Sequence, residues 1–125
     1  MKESLGRNRR VLVVDDEWPI SDSLAMILSH SGFATKTARS GEQAIELAKV
    51  FQPDLLISDV AMGGISGIEV ANEIIDFLPT CKVILFSGQA TTIDLAKRSR
   101  TAQNYRILSK PMPPDVLLQR IAELA

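Results

Sequence analysis

A chain of 125 residues is long enough for one compact domain and too short for two, because single domains most often contain about 100–150 residues. Its 14 lysines and arginines nearly balance its 15 aspartates and glutamates, so the net charge of −1 excludes a general attraction to nucleic acid or anionic lipid. The single cysteine, Cys81, excludes an intramolecular disulfide and a thiolate metal cluster, which favours a reducing compartment.

Residues 1–9 are predicted to form a basic tail, and residues 10–125 a single folded domain. Lys2, Arg7 and Arg9 give the tail its charge, and we interpret it as solvated, since a nucleic-acid-binding arm normally extends from a larger basic surface. The sequence shows neither the apolar core of a signal peptide nor the roughly 18 apolar residues that cross a bilayer. We therefore expect a cytoplasmic protein that binds neither membranes nor nucleic acid directly.

Short apolar runs alternate with longer segments of helical periodicity, which predicts a parallel α/β sheet. In chain order, the predicted elements are a strand at 11–14, a helix around 20–28, a strand at 33–38, a helix around 44–51, a strand at 55–57, a helix around 71–78, a strand at 83–86, a helix at 91–100, a strand at 105–109 and a helix around 117–125.

The composition of the runs predicts their places in the sheet. The first, third and fourth strands are continuous and largely β-branched, so they should be central and covered by helices on both faces. The second and fifth strands are more polar and should lie at the edges. Ser40 and Gln43 resemble a capping box at the start of the second helix. The strict alternation predicts a doubly wound sheet, whose ligand site lies at the carboxyl ends of the strands.

Acidic and polar residues follow the predicted strands. Asp15 and Asp16 follow the first strand, Asp59 the third, Ser87 the fourth and Lys110 the fifth. Carboxylates gathered at one sheet edge repel each other unless a cation joins them, and an oxygen-only donor set favours Mg²⁺, with Mn²⁺ as a substitute. The lysine and the serine hydroxyl add contacts suited to a phosphoryl group. Because the chain has no Walker A loop and no activated serine or cysteine, we predict that the third-strand aspartate is itself the nucleophile.

Four motifs resemble those of response regulator receiver domains. They are Val14-Asp15-Asp16-Glu17, Asp59-Val60-Ala61-Met62 with Gly67, Ser87-Gly88, and Ser109-Lys110-Pro111. The motifs stand in the family's order, and the resemblance extends over almost the whole of residues 10–125. It implies a flavodoxin-like fold in which five parallel strands, in the order 2-1-3-4-5, are flanked by five helices.

The resemblance also implies a role for each site residue. Asp59 accepts a phosphoryl group; Asp15, Asp16, Asp59 and the Ala61 backbone carbonyl hold Mg²⁺; Lys110 pairs with the phosphoryl oxygens; and Ser87 is the switch hydroxyl. The donor would be the phosphohistidine of a sensor histidine kinase or a histidine phosphotransfer protein. Phosphorylation would then change the surface formed by residues 91–100, the fifth strand and the last helix. A downstream effector domain or protein would bind to that surface, and a phosphorylation-dependent dimer is a further expected form. Such a domain catalyses only its own phosphotransfer and dephosphorylation, so it is not a turnover enzyme.

Three positions depart from the family's pattern. Gly63-Gly64 stands where proline is usual, which predicts a more flexible loop beside the acceptor. Ile107 stands where many members have tyrosine or phenylalanine, and Tyr105 lies two residues earlier. Gly88 replaces the commoner alanine. Because Ile107 replaces the usual aromatic residue, we predict a switch that works without an aromatic side chain moving inward.

Two other functions fit parts of the sequence. A Mg²⁺-dependent phosphatase with an aspartyl nucleophile, of the haloacid dehalogenase type, would need a second aspartate two residues after the first, where this chain has Ala61. A phosphorylation-independent interaction module would need no metal, so a failure to bind Mg²⁺ would favour it. Both a stand-alone receiver and a fragment of a longer regulator or hybrid kinase fit the sequence.

Overall fold

The computed structural model describes residues 9–16, 18–62, 64–87, 105–109 and 114–124. Within these ranges, only the backbone is described at residues 18–21, 87, 105–107, 109, 114 and 122–124. The helix predicted over residues 91–100 and residues 1–8 of the basic tail lie outside the described residues.

Five strands and four helices occupy the described residues. They are β1 (Arg10–Val14), α1 (Trp18–His30), β2 (Ala34–Ala38), α2 (Gly41–Phe51), β3 (Leu55–Asp59), α3 (Gly67–Phe77), β4 (Lys82–Ser87), β5 (Tyr105–Ser109) and α4 (Pro114–Leu124). All five predicted strands are confirmed, with small shifts at their ends. None of the described helices combines the length and the apolar character that crossing a bilayer requires.

The strands form one parallel sheet in the order β2-β1-β3-β4-β5. The two polar strands, β2 and β5, lie at the edges as predicted, and the three apolar strands lie inside. This is the flavodoxin-like order, in which the chain reverses direction across the sheet at β1 and β3. The carboxyl ends of these two neighbouring strands therefore flank the point where such folds bind ligands.

Alternate residues of the central strands fill two separate cores. Leu12 and Leu56 belong to the core shared with α2 and α3, whereas Val11 and Ile57 belong to the core shared with α1 and α4. All four side chains are at most 1% exposed. Because both faces of β1 and β3 are packed in this way, the residues that follow these strands start from fixed positions.

The two helices on the α2–α3 face begin with different caps. At α2, the Ser40 hydroxyl accepts a hydrogen bond from the Gln43 backbone N–H (3.1 Å), but the Gln43 side chain accepts from the Arg39 N–H (2.8 Å), so the predicted capping box forms only in half. The complete box is at α3, where Ser66 and Glu69 each accept from the other's backbone N–H, at 3.2 and 3.1 Å. The first turn of α3 is thus firmly held.

Cys81 is a buried thiol just before β4. Burial raises the pKa of the Cys81 thiol to about 12, and the negative charge of Asp54 acts in the same direction. Since the thiolate is the reactive form, we expect Ellman's reagent to modify Cys81 very slowly at pH 8 in the native protein and rapidly in denaturant. Rapid stoichiometric reaction of the folded protein would contradict this.

Candidate functional site

The ends of β1 and β3 lie side by side at the carboxyl edge of the sheet. Val14 pairs with Ser58 in the parallel register, so Asp15 and Asp59 are the next residues on the two neighbouring strands. The Asp15 backbone N–H donates to the Ala38 carbonyl at the end of β2 (3.1 Å), which holds the chain in the line of the sheet. The backbone therefore fixes both acidic residues.

Three carboxylates converge at this edge. Asp15, Asp16 and Asp59 each offer a carboxylate oxygen, and these oxygens lie within 4.8 Å of one another. Asp15 and Asp59 are only 7% and 8% exposed, whereas Asp16 is exposed. The cluster therefore has a protein side formed by two buried carboxylates and a solvent side from which a ligand can approach.

The charge of this cluster explains why a cation suits it. Negatively charged carboxylates this close, with oxygens at most 4.8 Å apart, repel each other. A divalent cation between them offsets that repulsion. Oxygen donors of this kind suit the hard cations Mg²⁺ and Mn²⁺, and the exposed side leaves room for the water that Mg²⁺ retains.

The loop after β3 carries Ala61, which is exposed and lies two residues beyond Asp59. Its backbone carbonyl as a metal ligand remains a prediction. Gly64 in the same loop has φ +86°, a conformation that residues with a side chain rarely adopt. A glycine at this position thus serves the shape of the loop, whereas Gly63 lies outside the described residues.

Ser87 ends β4 and pairs with Ser109, the last residue of β5. Its backbone lies one position beyond Phe86, which pairs with Asp59. The Ser87 side chain is not described. Several other predicted contributors also fall outside the described parts: Lys110, Gly88, residues 91–100, and the side chains of Tyr105 and Ile107. Their roles remain predictions.

Two residues touch the backbone of Asp59 in a way that the sequence did not predict, although one of them, Gly67, stands in one of the four motifs. Ser58 is 1% exposed, and its hydroxyl donates to the Asp59 carbonyl (2.9 Å). Gly67, the first residue of α3, lies so close that an added Cβ would collide with the same carbonyl oxygen and come 2.9 Å from the Ser58 hydroxyl. One sequence signal was available, because a serine inside the buried run Leu55–Asp59 needs a hydrogen-bond partner.

The chain is similar to known proteins over nearly its whole length. The family model described as the response regulator receiver domain matches residues 11–122. The transcriptional regulatory protein PdtaR of Mycobacterium tuberculosis is 38% identical over 120 residues, an alignment that covers 94% of this chain and 56% of PdtaR. The chain thus spans little more than half the length of this relative.

Two solved structures resemble the chain closely. Chemotaxis protein CheY4 of Vibrio cholerae superposes with a TM-score of 0.84 at 22% identity, covering 94% of this chain and 99% of that one, which shows the same fold. Response regulator protein TrrA of Thermotoga maritima, solved in complex with Mg²⁺ and BeF, has a TM-score of 0.77 at 32% identity, with coverage of 94% and 99%.

Proposed function

Because the chain belongs to the response regulator receiver domain family, we propose that it accepts a phosphoryl group on Asp59 in a Mg²⁺-dependent reaction. The donor is the phosphohistidine of a sensor histidine kinase or a histidine phosphotransfer protein. The observation that carries the proposal is the convergence of Asp15, Asp16 and Asp59 at the carboxyl edge of the sheet. The protein is then a phosphoacceptor in two-component signalling and not a turnover enzyme.

Asp15, Asp16 and Asp59, together with the Ala61 backbone carbonyl, are the proposed ligands of the metal. Their oxygen donors fit Mg²⁺, with Mn²⁺ as a substitute. The bound ion would offset negative charge on the oxygens of the transferring group. The complex of TrrA with Mg²⁺ and BeF supports the assignment, since TrrA is 32% identical to this chain over almost its full length.

The protein's own residues perform the transfer by positioning and charge. A carboxylate oxygen of Asp59 attacks the phosphorus in line; a P–O bond forms, and the P–N bond of the phosphohistidine breaks, leaving its electron pair on the imidazole nitrogen. Asp59 is 8% exposed at the end of a strand packed on both faces, so little reorganisation is needed. We propose that Lys110 pairs with the phosphoryl oxygens and that Ser87 donates its hydroxyl to one of them.

Phosphorylation is proposed to change the surface formed by residues 91–100, β5 and α4. That surface would bind a downstream effector, either a further domain of the same protein or a separate one. The proposed receiver domain covers residues 10–125, of which the family model matches 11–122. We propose a cytoplasmic location, no direct nucleic-acid or membrane partner, and a phosphorylation-dependent dimer as one means of output.

The proposal is tested by incubating the protein with acetyl phosphate and Mg²⁺ and measuring its intact mass. We expect an added mass of one phosphoryl group, its loss when a chelator removes the metal, and localisation to the peptide that contains Asp59. Asp59→Asn should abolish it. Asp54→Asn is the matched control, because Asp54 lies at the opposite end of β3, where it accepts a hydrogen bond from the Arg10 backbone N–H (2.9 Å).

Two results would contradict the proposal. A folded wild-type protein that gains no mass with acetyl phosphate and Mg²⁺ would favour a phosphorylation-independent interaction module. Many cycles of phosphate release per molecule, with substrates other than its own acyl phosphate, would instead favour a phosphatase.

A further inference from the structure

We propose that Ser58 is a positioning residue, which acts with Gly67 as a clamp that fixes the backbone of Asp59 for phosphoryl transfer. This inference rests on the proposed function of Asp59. The clamp is defined by Ser58, the Asp59 carbonyl and Gly67. Its parts come from β3 and from the start of α3, so the clamp joins the strand that carries the acceptor to the helix that follows it.

The Ser58 hydroxyl occupies a place where the strand pattern calls for an apolar side chain. Leu56, two residues earlier, belongs to the core beneath α2 and α3, and Ser58 is equally buried at 1% exposed. A buried hydroxyl without a partner destabilises the fold, so its hydrogen bond matters. That bond is made to the Asp59 carbonyl at 2.9 Å. The buried polar group is therefore directed at the backbone of the acceptor.

The peptide group that follows Asp59 is held at both ends. Its carbonyl accepts from the Ser58 hydroxyl (2.9 Å), and its N–H, on Val60, donates to the Phe86 carbonyl of β4 (3.0 Å). Since a peptide group is planar, two opposed hydrogen bonds fix its orientation. The Asp59 side chain therefore leaves the strand in a direction that the Ser58 hydroxyl helps to set.

The start of α3 holds the next peptide group. The Gly67 N–H donates to the Val60 carbonyl (2.9 Å), which fixes the chain as it leads on to Ala61. Gly67 is in turn held by the capping box of Ser66 and Glu69 at the beginning of α3. The absence of a side chain at Gly67 allows α3 to approach this closely, because a Cβ would occupy the space of the Asp59 carbonyl oxygen. The start of α3 thus helps to position both the proposed acceptor, Asp59, and the proposed carbonyl ligand of the metal, Ala61.

The test is Ser58→Ala, which removes one oxygen atom and leaves the strand intact. With acetyl phosphate at saturating Mg²⁺, we expect the saturating phosphorylation rate to fall by about fivefold, with the half-saturating acetyl phosphate concentration unchanged. Amide hydrogen exchange at Val60 and Gly67 should also become faster. Ser58→Cys, whose thiol is a weaker donor, should give an intermediate rate.

Ile57→Val is the matched control. Ile57 precedes Ser58 on β3, is also 1% exposed and faces the other core, so its truncation loosens packing without touching the clamp. It should lower stability while leaving the phosphorylation rate and the two amide exchange rates near those of the wild type. If Ile57→Val lost as much phosphorylation rate as Ser58→Ala, Ser58 would contribute only packing, and the inference would be wrong.

The outcomes separate the inference from the proposed function. If wild type and Ser58→Ala are phosphorylated on Asp59 at the same rate, the inference is wrong and the proposed function stands. If the wild type takes up no phosphoryl group, the proposed function fails, and with it the positioning role. Unchanged exchange at Val60 and Gly67 in Ser58→Ala would also count against the clamp.

Discussion

Mg²⁺ at one hundred times its dissociation constant is expected to raise the free energy of unfolding of the wild-type protein by about 2.7 kcal/mol. The reason is that the folded chain holds carboxylate oxygens of Asp15, Asp16 and Asp59 within 4.8 Å of one another, whereas the unfolded chain disperses them. For a domain of this size the thermal midpoint should rise by about 10 °C. Circular dichroism during heating or urea titration, with Mg²⁺ or with a chelator, measures the increment.

Asp15→Asn should cancel most of that increment. Asp15 is 7% exposed and, with Asp59, forms the protein side of the cluster. Replacement by asparagine removes one of the two buried negative charges that would bind the ion, and water does not replace that charge. Asp54→Asn, at the amino end of β3, changes the same functional group and should keep the wild-type response to Mg²⁺. A response of equal size in wild type and Asp15→Asn would show that the ion binds elsewhere.

The fold could be predicted because its main signals are local in sequence. The buried runs of β1, β3 and β4 are continuous and apolar, and the two edge strands are more polar, so each run indicates its own place in the sheet. The alternation of strands and helices then restricts the connections to right-handed crossovers. The ends of the elements differ slightly from the prediction: β2, for example, begins at Ala34, one residue later than predicted.

The acidic site could be predicted for a similar reason. Asp15 and Asp16 follow β1 and Asp59 ends β3, and the carboxyl ends of neighbouring parallel strands meet at one edge. The contacts that Ser58 and Gly67 make with the Asp59 backbone could not be predicted in this way. The position of Gly67 beside the Asp59 carbonyl depends on how closely α3 approaches β3, which is a property of the folded chain and not of either segment.

The starts of α2 and α3 give a second example of hydrogen bonds that spacing in the sequence does not predict. Ser40 with Gln43 and Ser66 with Glu69 have the same spacing in sequence, yet only the second pair forms the reciprocal hydrogen bonds. At α2 the Gln43 side chain reaches the N–H of Arg39, one residue before the cap. Which backbone N–H a side chain reaches depends on the turn that leads into the helix, and spacing alone does not define that turn.

Gly67→Ala is expected to lower the free energy of unfolding by about 1–3 kcal/mol and to slow phosphorylation of Asp59. The added Cβ would collide with the Asp59 carbonyl oxygen and come 2.9 Å from the Ser58 hydroxyl. Backbone at the end of a buried strand cannot move aside as a side chain can, so either α3 shifts outward or the acceptor's peptide group rotates. Urea denaturation and the acetyl phosphate assay measure the two effects.

Gly41→Ala is the matched control for this substitution. Gly41 is also buried and is also the first residue of its helix, but an added Cβ there would meet side-chain atoms of Ile65 and Val70, the latter at 2.6 Å. Side chains can repack, and neither Ile65 nor Val70 is part of the clamp. Gly41→Ala should therefore lose stability while its phosphorylation rate stays within about twofold of the wild type once folding is complete. Suppose instead that Gly41→Ala and Gly67→Ala had the same free energy of unfolding and slowed phosphorylation equally. The rate would then depend on general loosening of the packing between α2 and α3, and the contact between Gly67 and the acceptor's backbone would have no separate role.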